Sequence, residues 1–244
     1  GAAKCTFGTG SFLLLNTGGD VVQSRHGLIS TVAYAIDGEA PVYALEGSVA
    51  IAGALVDWCR TNMGFIDASP EIETVANTVE DNGGCYIVPA FSGLLAPHWD
   101  HAAQGIVVGL TGHTSRGHLA RAILEAVAFQ VRDVVEAMDS DAGRPTRSLA
   151  VDGGMTSNNL LMQTVADLLD VTVVRPMMTE TVALGAAYAA GLGAGYWPNK
   201  AVLRQNWQRA AEWLPAMDDS RRAFELGRWQ DAVRLTSAWG RTRR

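Results

Sequence analysis

The sequence predicts an α/β protein built on a mixed β-sheet with helices on both faces. Three observations carry this. Five strand-like segments come early, a βα-rich half follows, and between them residues 115–143 give the strongest helical pattern in the chain.

Residues 4–18 read as a strand, a tight turn at Gly8-Thr9-Gly10, and a second strand of bulky apolar residues. The turn NTGGD leads to another β-rich segment at 20–36, and PVYALEG is a short strand. The period then changes: Val49, Ala52, Gly53, Val56 and Cys59/Arg60 recur at helical spacing, with Ser48 placed as the cap. Residues 68–82 are acidic and polar and predict a short exposed helix and loop. GCYIVPAF and GIVVGLT are strands around a Pro/Gly/aromatic loop.

The long helix carries Leu119, Ile123, Val127, Val131, Val134 and Met138 on one stripe, with i,i+4 pairs Arg121–Glu125 and Arg132–Glu136 and a closing Gly143. Residues 147–176 read strand, Gly turn, helix, strand. TETVALGAAYAAGLGAGYW is a helix of small residues suited to close packing on a neighbour. From about residue 198 the chain reads as Trp/Arg/Glu/Lys-rich helix with a solvated RTRR end. No repeat or linker divides the chain, so one domain is expected over 1–244.

The net charge of -6 argues against broad binding to nucleic acid or an anionic membrane surface. No apolar run has membrane-spanning length. The three cysteines, Cys5, Cys59 and Cys85, are far apart and form no C-x-x-C pair. They read as buried free thiols of a reducing, cytoplasmic compartment. The sequence has no initiator Met and enters a strand within its first residues, which predicts a piece of a longer chain.

Two stretches carry chemistry. Gly8 and Gly10 flank the hydroxyl of Thr9 at a hairpin tip; this is either an ordinary Gly-rich turn or a turn cleared of side chains so that a ligand can approach. VDGGMTSNN (151–159) ends a strand in glycines at a helix start, where backbone N–H groups and the positive helix end suit a nucleotide. Gly154 would let a ligand approach, Asn158 would bond a purine or ribose, and Asp152 would cap the turn, the alternative being a metal ion held through water. The alternative is a capped βα turn with solvated asparagines. Neither a P-loop nor a G-x-G-x-x-G fingerprint is present.

The blocks GTGSFLLLNTG, YALEGSVAIAGALVDW, VPAFSGLLAPHWD, GIVVGLT, LEAVAFQVRDVVEAM, VDGGMTSNNLLMQTVADLL and VRPMMTETVALGAAYAAGLGAGYW, in this order from residue 4 to about 197, resemble the C-terminal half of the glycerol kinases within the FGGY carbohydrate kinases. The resemblance implies the actin/Hsp70/hexokinase-like (ribonuclease H-like) fold and an ATP-binding lobe using ATP and Mg2+. It implies transfer of the γ-phosphate to glycerol in the intact enzyme.

Carried over, Thr9 contacts the terminal phosphates and Gly8 and Gly10 keep room for them. Gly53 lines the nucleotide pocket, the alternative being a helix-packing glycine. Gly154 and Asn158 take the adenosine side. Phe12 packs on the glycerol skeleton, the alternative being a core aromatic. Where the family often has Gln, this chain has Asp57, whose charge would repel polyphosphate unless it reaches Mg2+ or the ribose.

The family's catalytic base and glycerol-gripping residues lie in an N-terminal substrate domain that this sequence lacks, so no catalytic residue and no metal ligand is assigned here. The lobe alone is expected to be inactive, and homo-oligomeric through its exposed inter-lobe surface. His98 and His101 read as loop histidines, His26, His113 and His118 as scattered ones, and Arg132-Asp133 as a structural ion pair. Two other classes compete: the lobe of another polyol or pentulose kinase, xylulokinase-like, and a non-catalytic actin-fold module.

Overall fold

The structure, a computed structural model, describes residues 1–241; the last three residues of the RTRR end lie outside the described residues. The elements in chain order are β1 (Ala3–Phe7), β2 (Ser11–Gly18), β3 (Ile29–Tyr34), β4 (Val42–Val49), α1 (Gly53–Trp58) and α2 (Glu71–Ala76). Then come β5 (Tyr86–Val88), β6 (Ile106–Val108), α3 (Arg116–Ala142), β7 (Ser148–Asp152), α4 (Asn159–Leu169), β8 (Thr172–Pro176) and α5 (Thr181–Gly193). The described chain closes with α6 (Lys200–Arg204), β9 (Arg209–Trp213) and α7 (Asp219–Arg241).

Seven strands form one sheet in the order β3-β4-β2-β1-β7-β8-β9. β1/β7 and β7/β8 are parallel and the other pairs antiparallel, so the sheet is mixed as predicted. β5 and β6 make a separate antiparallel ribbon.

Strand alternation decides which side is core. Cys5, Phe7, Leu13, Leu15, Leu149 and Val151 are all buried. They share the face on which α3 and α4 pack. The opposite side carries Lys4, Thr6, Phe12 and Ser48, none of them buried. α3 matches its predicted bounds: Gly143 closes it in the left-handed region at φ 63, and the backbone N–H of Ser115 donates to Nδ1 of His118 at 3.0 Å, so His118 belongs to the helix start. Ile123, Val127, Val131, Val134 and Met138 are buried as the stripe requires. The three cysteines are buried and free.

Four expectations are corrected. The strand predicted over 20–36 forms only at Ile29–Tyr34. Residues 24–26 instead wrap Asp141, which accepts from Ser24 Oγ (2.5 Å) and the Arg25 N–H (2.9 Å) and pairs with His26 Nδ1 (2.6 Å). The helix predicted from Ser48 begins at Gly53, because Ser48 and Val49 pair with Phe12 and Ser11 and the sheet claims them. Within the stretch predicted helical from 198, Arg209–Trp213 is a strand. Its Arg, Ala and Glu suit a helix, but the open edge of β8 recruits it, Val173 lying opposite Trp213. Finally, α5 was expected to pack closely on a neighbour, yet none of its residues is buried. No element of the described chain covers it.

Candidate functional site

The hairpin tip between β1 and β2 has no third strand to bond its carbonyls. It uses the start of α1 instead. The N–H of Gly53 donates to the Gly8 carbonyl, and those of Ala52 and Ala54 donate to the Thr9 carbonyl, each at 3.0 Å. These bonds satisfy amides that a helix start leaves unpaired, and they fix the tip against the helix. Gly53 is needed for this approach: a Cβ there would lie 2.6 Å from the Gly8 oxygen. It lines the cavity as expected and also sets this close approach, which is not helix–helix packing. Gly10 is buried under the tip, where a Cβ would lie 2.5 Å from the Val49 carbonyl oxygen.

The second wall comes from the end of β7. Gly153 adopts φ 93, and a Cβ on it would lie 2.3 Å from the carbonyl oxygen of Phe7, the residue just before the hairpin tip. The chain then makes a 3-10 turn over Gly154–Ser157 and enters α4. Asn158 caps α4, its Oδ1 accepting from the Leu161 N–H at 2.8 Å. That leaves its Nδ2 as the group able to donate elsewhere. Nothing lies within 4 Å of a Cβ built on Gly154, so this backbone is open.

The two walls enclose a cavity of about 830 Å³, a size suited to a small-molecule ligand. Gly8, Thr9, Gly53, Asp57, Gly154 and Asn158 all line it. Segments about 145 residues apart in sequence therefore meet at one cleft, as the sequence reading required. Gly10 supports the tip from beneath and is not on the wall. Phe12 is outside the cavity: it sits opposite Thr6 and Ser48 on the open side of the sheet, 52% exposed, so it is not a core aromatic.

Two expectations about carboxylates change. Asp152 does not cap the turn. Its Oδ2 lies 3.0 Å from Lys4 Nζ and accepts from Thr181 Oγ1 at 2.5 Å, tying β1, β7 and the start of α5 together. Asp57 does not stand as a free charge facing the cleft, because Arg60 clasps its Oδ1 through Nε at 3.1 Å and Nη2 at 2.6 Å.

The sequence reading missed part of the wall. Trp58 and Phe91 meet at 5.3 Å between ring centroids and form an aromatic side. Thr61, four residues on from Asp57 in the same helical run, also lines the cavity, and helical spacing from Asp57 would have found it. Phe91 and Glu73 come from separate elements with no local signal. Glu73 also locks α2 to α4, its Oε1 accepting from the Leu160 N–H at 2.9 Å.

Among the described residues no three His, Cys, Asp or Glu side chains gather into a metal-holding group. His98 binds Asp133 at 3.0 Å, and Asp133 also accepts from Trp229 Nε1 at 2.8 Å. Arg132 pairs with Glu136 at 2.7 Å and not with Asp133. These are structural contacts. No helix among the described residues is long and apolar enough to cross a membrane.

Comparison with known proteins places this geometry. The model of the C-terminal domain of the FGGY family of carbohydrate kinases matches residues 3–194. The chain is 56% identical over 239 residues to a glycerol kinase of Saccharopolyspora erythraea, covering 98% of this chain and 48% of that protein. It is 56% identical over 241 residues to a glycerol kinase of Brucella anthropi, covering 98% and 48%. The crystal structure of Plasmodium falciparum glycerol kinase with ADP superposes with a TM-score of 0.87 at 40% identity, over 96% of this chain and 47% of that one. A xylulose kinase from Rhodospirillum rubrum shares the fold, with a TM-score of 0.79 at 24% identity over 98% of this chain and 47% of that one. The chain spans about half the length of the curated relatives it matches.

Proposed function

This chain belongs to the FGGY family of carbohydrate kinases, and from that premise we propose that it forms the ATP-binding lobe of a glycerol kinase. The observation that carries the reading is the meeting of the Thr9 hairpin and the Gly154–Asn158 turn at one cavity. Both relatives above are named glycerol kinases, and the superposed Plasmodium falciparum enzyme holds ADP. The xylulose kinase above is far less similar in sequence, which supports the glycerol reading over its pentulose alternative.

In this reading the polyphosphate lies at the hairpin tip, where the Thr9 hydroxyl donates to it. The adenosine end lies along the open backbone of Gly154, with Asn158 Nδ2 as donor and the Trp58–Phe91 side as apolar contact. Gly8 and Gly53 hold the tip at the right height, and Gly10 holds it from below. Asp57, already neutralised by Arg60, faces the nucleoside and not the phosphates. Phe12 packs on the acceptor's carbon skeleton.

The whole protein transfers the γ-phosphoryl group in line. The acceptor hydroxyl oxygen bonds to phosphorus, the bond to the bridging oxygen breaks, ADP leaves, and the hydroxyl proton passes to a base. That base is expected from the family's N-terminal substrate domain, so this lobe alone transfers nothing at a useful rate. Magnesium would be the ion accompanying the nucleotide, supplying charge neutralisation of its phosphates. Buried reduced thiols suit a cytoplasmic setting. The uncovered helix α5 is a surface for self-association.

Titration calorimetry of this chain with Mg-ATP tests the nucleotide reading. One site is expected, weakened roughly tenfold by Thr9→Val, the effect of one lost hydrogen bond. A folded chain that binds no nucleotide would instead be a non-catalytic module. A coupled ADP-release assay of the whole protein across polyols tests the acceptor.

A further inference from the structure

The two walls of the cavity are carried by neighbouring parallel strands, and one carboxylate sits where those strands stop pairing. The ladder between β1 and β7 ends at the pair Thr6–Asp152. Beyond it β1 runs into the Gly8–Gly10 hairpin and β7 into the Gly154–Ser157 turn. Asp152 Oδ2 lies 3.0 Å from Nζ of Lys4 on β1 and accepts from Oγ1 of Thr181, the first residue of α5, at 2.5 Å. Lys4 Nζ also reaches Thr181 Oγ1 at 3.5 Å, closing a three-way contact.

The contact leads directly into both walls. Gly153, the residue after Asp152, packs against the Phe7 carbonyl, where a Cβ would lie 2.3 Å from the oxygen. Its own N–H donates to the Thr179 carbonyl at 3.3 Å, just ahead of α5. A shift of Asp152 therefore moves the Gly154 turn and the hairpin relative to each other. Asp152 itself does not line the cavity. Its side chain is 5% exposed, and Oδ1 is buried with no hydrogen-bond partner among the described residues. As adhesion alone this is a poor arrangement, since apolar residues fill a buried gap without such a cost. What the carboxylate adds is direction, because one oxygen fixes two donors from separate elements.

We propose that Asp152 is a positioning residue for the nucleotide: through Lys4 and Thr181 it holds the polyphosphate wall and the adenosine wall at the spacing that one ATP molecule spans. The assignment rests on the ATP-binding reading above and deepens it. A ligand that touches one wall does not need the spacing. A ligand that touches both gains from it, and loses that gain when the spacing is loosened.

The test is steady-state kinetics of the whole kinase, with adenosine and magnesium tripolyphosphate as competitive inhibitors of Mg-ATP, one for each wall. Removing Asp152 would leave Lys4 unpaired, so the variants are made on its partners. Thr181→Val, which keeps the side chain's shape, and Lys4→Met are each expected to raise KM for Mg-ATP roughly tenfold, the effect of one lost hydrogen bond. Both inhibition constants should stay within about twofold. Thr181→Ser, which keeps the hydroxyl, should restore the KM. Thermal circular dichroism checks folding, and Thr181→Val, at a half-buried helix start, decides the case alone if Lys4→Met does not fold. A general loss of stability would weaken all three ligands together. Equal weakening of all three, an unchanged KM for Mg-ATP, or no rescue by serine overturns the assignment and leaves the nucleotide reading standing. So does failure of either half-ligand to inhibit the unaltered kinase, since each wall must bind its own half. If the unaltered kinase shows no dependence on Mg-ATP, the nucleotide reading falls and the assignment with it.

Discussion

The amide of Gly53 donates to the Gly8 carbonyl at 3.0 Å, and a methyl group on the same residue would stand 2.6 Å from that oxygen. The first helix and the Gly8–Gly10 hairpin thus touch backbone to backbone, with Met155 of the second wall 3.4 Å from where that methyl would stand. Three separate chain segments share one contact, and the cavity's shape depends on it.

Gly53→Ala should therefore push the hairpin outward. Overpacking of this kind costs about 1–3 kcal/mol. Mg-ATP affinity is expected to fall at least tenfold with a lower melting temperature, read by calorimetry and thermal circular dichroism. Unchanged affinity would show that the tip moves freely.

Arg60→Ala leaves the Asp57 carboxylate unpaired on the cavity wall. The pair is partly exposed, so its own contribution to stability is small, at most about 1 kcal/mol. Its effect on a polyanion should be larger: Mg-ATP affinity is expected to drop several-fold at low salt and recover as salt screens the repulsion. Asp57→Gln in the same background should restore it.

Glu125 reports on pH. Burial pushes its carboxyl up to about 7, against the Asn82 hydrogen bond at 2.7 Å and the nearby Arg121. The unfolded group titrates near its ordinary 4.5. Between these values the folded chain holds the extra proton, so stability falls as pH rises through that window and levels off above it. The loss is on the order of 3 kcal/mol. Glu125→Gln should flatten urea-unfolding stability across pH 4.5–7; an unaltered slope would assign the titration elsewhere.

Trp229 joins α7 to the core. It is buried, stacks on Phe129 at 5.1 Å, and donates to Asp133. Trp229→Ala should cost about 3–5 kcal/mol. Trp229→Phe keeps the ring contact and should cost only about 1 kcal/mol for the lost hydrogen bond to Asp133, which keeps His98. Chemical denaturation of both variants separates packing from the hydrogen bond.

Much of this was legible in the chain itself. Period and capping gave the long helix, its end at Gly143 and both of its i,i+4 pairs. Glycine patterns located the hairpin and the β7–α4 turn, because glycine is placed where backbone must come close. Local pattern failed where a long-range partner outweighed it: Ser48 was claimed by the sheet, and Arg209–Trp213 by the edge of β8.

The sequence by itself determined the alternation of the strands, the amphipathic helices and the points where the backbone had to be bare, since each depends only on neighbours along the chain. Tertiary structure alone decided that Asp152 is met by Lys4 and Thr181. It also decided that Phe91 and Glu73 join the cavity and that Phe12 stands bare between two hydroxyls. Those outcomes turn on distances between remote segments, and charge pairing, cavity walls and exposure exist only once such segments have been brought together.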